Sequence, residues 1–124
     1  MHKLLRPHPD SPGLAAARVE VTVARPRADR LVLSYVVTGK ISDIRLPPTV
    51  PAARADGLWQ HTCFEAFVRA ASGPSYYEFN FAPSTEWAAY RFDSYRSGMG
   101  AAEIGTPEIE GRSNPDSYTL QASL

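Results

Sequence analysis

One aromatic-rich stretch of the chain carries most of the side chains that could hold a small ligand. Indole faces stack on the apolar C–H faces of sugar rings, while carboxylates, amides and guanidinium groups offer directional hydrogen bonds to hydroxyls. These residue types therefore favour a site for a sugar or a similar small molecule. The candidate ligand-binding residues are Trp59, Glu65, Glu78, Asn80, Trp87 and Arg91.

Two other kinds of chemistry are open to the same stretch. Glu65 and Glu78 could form a general acid/base pair of carboxylates. His61 and Cys63, two residues apart on a strand, could form an activated thiol. Carboxylates on an exposed sheet are usually only solvated, however, and a lone cysteine is usually a small apolar residue. We therefore expect a binding protein and no enzyme, with no catalytic residues.

The elements that must position these side chains are β-strands, because apolar and polar residues alternate with period two along most of the chain. No stretch has the pattern of a helix of ten or more residues. We predict one all-β domain over residues 1–124, an antiparallel jelly-roll or β-sandwich. A coil from Pro47 to Gly57 is too long for a hairpin and should cross between sheets. The strands are expected at 19–23, 31–38, 41–46, 63–69, 76–82, 87–92, 108–110 and 118–124.

The turn Ser72-Gly-Pro-Ser75 predicts an antiparallel hairpin with a definite register. A one-residue slip would move a carboxylate into the apolar set, which is costly for an unpaired charge. The expected pairs are Phe64 with Phe81, Ala66 with Phe79 and Val68 with Tyr77 on an apolar face, and Glu65 with Asn80 and Phe67 with Glu78 on the other.

The strand after this hairpin admits two parities. We expect Ala88, Tyr90 and Phe92 to join the apolar face. Trp87 and Arg91 would then share the face of the two glutamates, where they complete a polar and aromatic surface. The opposite parity would bury Trp87 together with Arg91, which is less favourable.

Composition excludes several classes of partner. Thirteen basic residues balance thirteen acidic ones, so the net charge is zero and no basic stripe is present. Nucleic-acid and membrane-surface binding are therefore not expected. A single cysteine and the absence of an export segment indicate a cytoplasmic protein. Three histidines and one cysteine without zinc-site spacing predict no metal.

Three segments resemble the bacterial DOMON-like proteins, which are related to family 9 carbohydrate-binding modules. They are Asp56-Gly-Leu-Trp-Gln-His-Thr-Cys-Phe-Glu-Ala-Phe-Val68, Tyr76-Tyr-Glu-Phe-Asn-Phe-Ala-Pro83 and Trp87-Ala-Ala-Tyr-Arg-Phe92. The resemblance implies a jelly-roll sandwich in which Trp59 walls a sugar and Glu65 binds its hydroxyls. Asn80 stands where those modules commonly place an Arg, and Thr62 replaces a frequent Asp.

The resemblance leaves two alternatives to a saccharide module. Some DOMON domains bind haem through Met and His, for which Met99 and His61 are the available pair, although no cofactor is expected. An assembly domain without a small ligand is the other. In the modules, a second aromatic wall comes from a segment near the C-terminus that these 124 residues do not contain. The alternation of the last predicted strand continues to Leu124. We therefore expect either missing C-terminal strands or a homo-oligomer that covers an open sheet edge.

Overall fold

The computed structural model describes residues 1–11 and 16–124, and these residues are organised in β-strands. They form two antiparallel sheets, one of five strands and one of four, with strand orders β1-β2-β3-β9-β8 and β4-β5-β6-β7. The all-β prediction is confirmed, and two antiparallel sheets are consistent with a β-sandwich. The strands are β1 (His2–Leu4), β2 (Ala16–Arg27), β3 (Arg30–Gly39), β4 (Phe64–Arg69), β5 (Tyr76–Phe81), β6 (Trp87–Phe92), β7 (Gly100–Ala101), β8 (Glu108–Ser113) and β9 (Ser117–Ser123).

The chain divides into two compact units, each of which holds one sheet. Residues Met1–Leu46 and Pro107–Leu124 form the unit of the five-stranded sheet. Residues Pro47–Thr106 form the unit of the four-stranded sheet. The predictions of a single domain, a jelly-roll arrangement and missing C-terminal strands stay predictions.

The five-stranded sheet has one apolar face, built by the alternation that the sequence shows. Leu33 pairs with Ala122, and Tyr35 pairs with Leu120. All four of these side chains are buried, as the period-two pattern requires. β9 lies between β3 and β8, and the backbone of Leu124 exchanges two hydrogen bonds with Leu31.

In the four-stranded sheet the predicted hairpin is confirmed residue by residue. β4 and β5 pair with Glu65 opposite Asn80 and Phe67 opposite Glu78. On the other face Phe79 and Phe81 are buried and stack nearly parallel, with ring centroids 6.4 Å apart. We call the face of Glu65 and Glu78 the glutamate face, and the face of Phe79 the phenylalanine face.

The expected parity of β6 is wrong. Trp87 pairs with Phe81 and Arg91 with Tyr77, so both side chains lie on the phenylalanine face. Ala88, Tyr90 and Phe92 lie on the glutamate face instead. This arrangement buries no charge, because Arg91 sits near the end of the strand, is exposed, and donates to Asp93 Oδ1 at 3.1 Å. Of these two side chains, the indole of Trp87 is buried and the guanidinium of Arg91 is not.

Other element boundaries differ from the sequence prediction. The segment 41–46 is no strand, since Ile41–Asp43 forms a single 3-10 turn and coil follows. The amino-terminal segment contributes the short β1, which pairs with β2. β8 extends three residues beyond the predicted Glu110, and the two-residue β7 lies in a segment expected to be loop. The long coil does connect strands of different sheets, as expected. Part of the Pro-rich leader, residues 12–15, lies outside the described residues.

Candidate functional site

Three of the six predicted ligand-binding residues come together on the glutamate face. Glu65 and Asn80 are direct cross-strand partners, and Glu78 is the diagonal neighbour of Glu65. Asn80 is buried, and in the amide orientation that satisfies hydrogen bonding its Nδ2 donates to Glu78 Oε1 at 3.3 Å. The buried amide thus holds one carboxylate in place while the other stays exposed.

A cavity of about 470 Å³ opens on this face, at the hairpin end of β4 and β5. Its wall is aromatic: the rings of Tyr76 and Phe92 stack in parallel at 4.8 Å, and Phe67 packs against Tyr76 at 6.4 Å. Glu78 contributes a carboxylate to this surface, and Arg69 and Arg96 contribute guanidinium groups. The lining residues are Phe67, Val68, Arg69, Tyr76, Glu78, Phe92, Tyr95 and Arg96.

A tight turn after β6 supplies the rim of this cavity. Asp93 N donates to Ser97 O at 3.0 Å, and Arg96 adopts a left-handed conformation with φ of 53°. Arg96 N donates to the hydroxyl of Tyr76 at 3.0 Å, which ties the turn to the cavity wall. Tyr95 is 77% exposed beside the cavity, with the Arg96 guanidinium 5.2 Å from its ring centroid. The turn therefore presents an aromatic ring to solvent on a fixed backbone.

The other end of the glutamate face is covered by the coil that precedes β4. Leu58 packs against Ala82 and Ala88 in a small buried cluster. Tyr90 donates to Asp56 Oδ1 at 2.6 Å, and burial together with this hydrogen bond raises the pKa of Tyr90 to about 12. The coil is thus anchored to the sheet through its own side chains.

The predicted sugar wall, Trp59, lies in this anchored segment. It belongs to a 3-10 turn, Leu58–Gln60, that begins after Gly57 in the left-handed region. The indole is 66% exposed, whereas its neighbour Leu58 is buried. Trp59 is absent from the lining of the cavity, so it offers a separate exposed aromatic surface.

Trp87 is not available to a ligand on the glutamate face. It is 4% exposed on the opposite face, and the Arg54 guanidinium lies 4.4 Å from its ring centroid. Arg54 also donates to the carbonyls of Ala89 at 3.1 Å and Ala102 at 2.6 Å. Trp87 and Arg54 therefore tie the coil to β6 and belong to the packing of the unit.

One carboxylate of the glutamate face acts on the other. Partial burial, followed by the negative charge of Glu78, raises the pKa of Glu65 above its ordinary value. Arg69 and Arg96 bring two guanidinium groups to the same cavity. The site thus offers hydrogen-bond acceptors, donors and aromatic rings, which is a set suited to hydroxyl-bearing ligands.

The thiol that could act as a nucleophile is held in its protonated form. Burial, and then the charge of Glu65, raises the pKa of Cys63 to about 11. An activated cysteine requires the opposite shift. The haem alternative stays a prediction; its two residues, His61 and Met99, are both exposed.

Sequence reasoning missed most of the cavity. Tyr76, Phe92, Tyr95 and Arg96 were not among the candidate residues, and Phe92 was expected on the apolar face. The predicted register already contained part of the signal, because it places Phe67 opposite Glu78 and therefore puts Tyr76 on the same face. The rim could not be read from the pattern, since it depends on how a turn folds back on the sheet.

Comparison of the chain with protein-family models, with characterised proteins and with solved structures finds no match. The resemblance to DOMON-like proteins therefore stays a prediction from the motifs. Within residues 1–11 and 16–124, no helix has the length and apolar character needed to cross a membrane.

Proposed function

We propose that the four-stranded unit is a noncatalytic binding module for a small saccharide, which it holds in the aromatic cavity of the glutamate face. The observation that carries this proposal is the placement of exposed aromatic rings around a carboxylate in one cavity. A volume of about 470 Å³ lies within the range of small-molecule sites.

Each group of the cavity has a distinct role in this proposal. Phe67, which is 61% exposed, and Tyr95 stack on the apolar faces of the sugar ring. Glu78 accepts hydrogen bonds from hydroxyls, and Asn80 keeps its carboxylate oriented. Arg96 supplies a donor at the rim. The ring thus meets an aromatic surface while its hydroxyls meet polar groups.

The motif resemblance supports the same class of ligand. Glu65 continues the polar surface beyond Glu78 on the same sheet face. Trp59 lies in the coil that covers the other end of the glutamate face. It would therefore contact only a ligand that extends out of the cavity. A cytoplasmic location, which the single half-buried cysteine favours, would suit a mono- or disaccharide or a sugar nucleotide better than a polysaccharide.

Isothermal titration with a panel of mono- and disaccharides tests the proposal. Tyr95→Ala and Glu78→Gln should each weaken the binding of a sugar by about 10-fold or more, because each removes a contact with the ligand. Tyr77→Ala is the matched control, since Tyr77 is a partly exposed tyrosine on the opposite face of the same sheet. It should leave the affinity unchanged.

Two results would overturn this assignment of the site. If the cavity is the site, Tyr95→Ala binds sugar more weakly than Tyr77→Ala does, so equal affinities of the two variants would exclude the cavity. A loss of binding in Trp59→Ala but not in Tyr95→Ala would move the ligand to the exposed indole. If the unmodified protein binds no sugar of the panel, the proposal that its ligand is a saccharide is rejected.

A further inference from the structure

One edge strand of the four-stranded sheet, β4, is long and exposes apolar side chains. β4 pairs with β5 alone within the part of the chain that the structure describes. Proteins usually protect sheet edges with short strands or charged residues. The edge strands β1 and β7 are three and two residues long, and β8 carries Glu108, Glu110 and Arg112. β4 has six residues, and besides the charged Glu65 and Arg69 it exposes the apolar Phe67 and Val68.

The sequence of this edge is complementary to itself. In an antiparallel pair of two β4 strands, a two-fold axis through Phe67 places the two Phe67 rings side by side. The same register sets Ala66 opposite Val68. It also sets Glu65 of each copy opposite Arg69 of the other copy, once on each side of the axis. Opposite charges in such cross-strand pairs stabilise the pairing. Glu65, Phe67 and Arg69 all lie on the glutamate face.

We propose that two copies of this chain pair edge to edge through β4, about a two-fold axis at Phe67. The two four-stranded sheets then continue into one antiparallel sheet of twice the width. The pairing gives hydrogen-bond partners to backbone groups of the open edge. Because each copy uses the same patch, the assembly closes as a dimer and leaves no β4 edge for further growth.

Dimerisation would also change the ligand cavity. Phe67, Val68 and Arg69 line the cavity and belong to the paired edge. Neighbouring strands lie about 4.8 Å apart, so the Phe67 ring of the second copy stands next to the first. The two cavities open on the same face of the joined sheet, and each gains an aromatic neighbour from the other copy. The dimer itself does not depend on the proposed ligand.

Charge exchange across the axis tests the register. Sedimentation of the unmodified protein should show a dimer at concentrations up to about 1 mM. Glu65→Arg and Arg69→Glu should each raise the dimer dissociation constant about 10-fold or more, because each places like charges opposite one another twice. The double variant should regain the original constant within a few-fold. Residues four apart on one strand are about 13 Å apart, so positions 65 and 69 of a single chain cannot form this ion pair with each other.

Cross-linking gives an independent measurement. In a Cys63→Ser background, Phe67→Cys should form an intermolecular disulfide under mild oxidation, since residues on the axis face each other within disulfide range. Ala66→Cys is the control, because its copies lie too far apart to be bridged. A monomer at all concentrations, equal cross-linking by both variants, or no recovery in a folded double variant would overturn the proposal. Each of these results can be obtained without any sugar, so failure here leaves the saccharide proposal standing.

Discussion

The reactivity of Cys63 separates a buried, inert thiol from an activated nucleophile. The pKa of this thiol is raised from an ordinary 9.0 to about 11, chiefly by burial and then by the Glu65 carboxylate. Two pKa units correspond to about 100-fold less thiolate at any pH below 9. Because the thiol is only half buried, solvent screening reduces this factor, and we expect alkylation to be about 10- to 100-fold slower than for a free cysteine.

The assay compares the native chain with the same chain in denaturing urea. Iodoacetamide labelling near pH 8, followed by mass spectrometry, reports on Cys63 alone because the chain has a single cysteine. The denatured chain supplies the reference rate for an exposed thiol. A native thiol that reacts as fast as the denatured one, or whose rate profile shows a pKa below the ordinary value, would refute this reasoning and revive the nucleophile hypothesis.

The raised pKa of Cys63 makes the free energy of unfolding depend on pH in the alkaline range. The fold favours the protonated thiol, so the folded pKa lies above the unfolded one. Its contribution to stability is therefore complete below the ordinary value of 9.0 and is lost as the pH rises through about 11. Cys63→Ser should flatten this part of the pH profile. The loss that remains belongs in part to Tyr90, whose pKa is also raised, to about 12.

Two substitutions test the packing around the sheets. A Cβ at Gly111 would meet the hydroxyl of buried Tyr118 and lie 3.1 Å from its Cζ, so Gly111→Ala should reduce the free energy of unfolding by about 1–3 kcal/mol. Gly105→Ala, where a Cβ meets nothing within 4 Å, is its control in urea unfolding, and equal midpoints would contradict the packing argument. Arg54→Ala should cost about 2–4 kcal/mol, because it removes two charge-assisted hydrogen bonds and the contact with Trp87. Arg54→Lys should recover little of this, since an ammonium group lacks the planar fork, and full recovery would show that charge alone matters.

The relation between sequence and site is clearest in the β4–β5 hairpin. Its register was predictable in part because a one-residue slip would bring a glutamate onto the apolar face. That pairing also placed Asn80 and Phe67 correctly beside the carboxylates. Trp59 was correctly expected outside the strands, and its indole is exposed.

The parity of β6 could not be predicted in the same way, because both faces of this strand carry aromatic rings. Polarity alone argued against placing Trp87 and Arg91 on the apolar face. In the structure, the guanidinium of Arg54 stacks on the buried indole of Trp87. Arg54 lies 33 positions before Trp87 in the chain. Arg91 meanwhile reaches solvent near the strand end. Neither contact is visible in a local pattern.

By itself, therefore, the sequence determined the all-β class, the hairpin and the face that carries the glutamates, because alternation and unpaired charge act between neighbouring residues. Only the tertiary structure decided which aromatic rings surround those glutamates. Tyr95 and Arg96 reach the cavity through a turn that is held by a hydrogen bond to Tyr76. Trp87 lies on the opposite face of the sheet, where Arg54, which is distant in sequence, covers its indole. Such contacts depend on how separate segments meet in space, which no periodicity records.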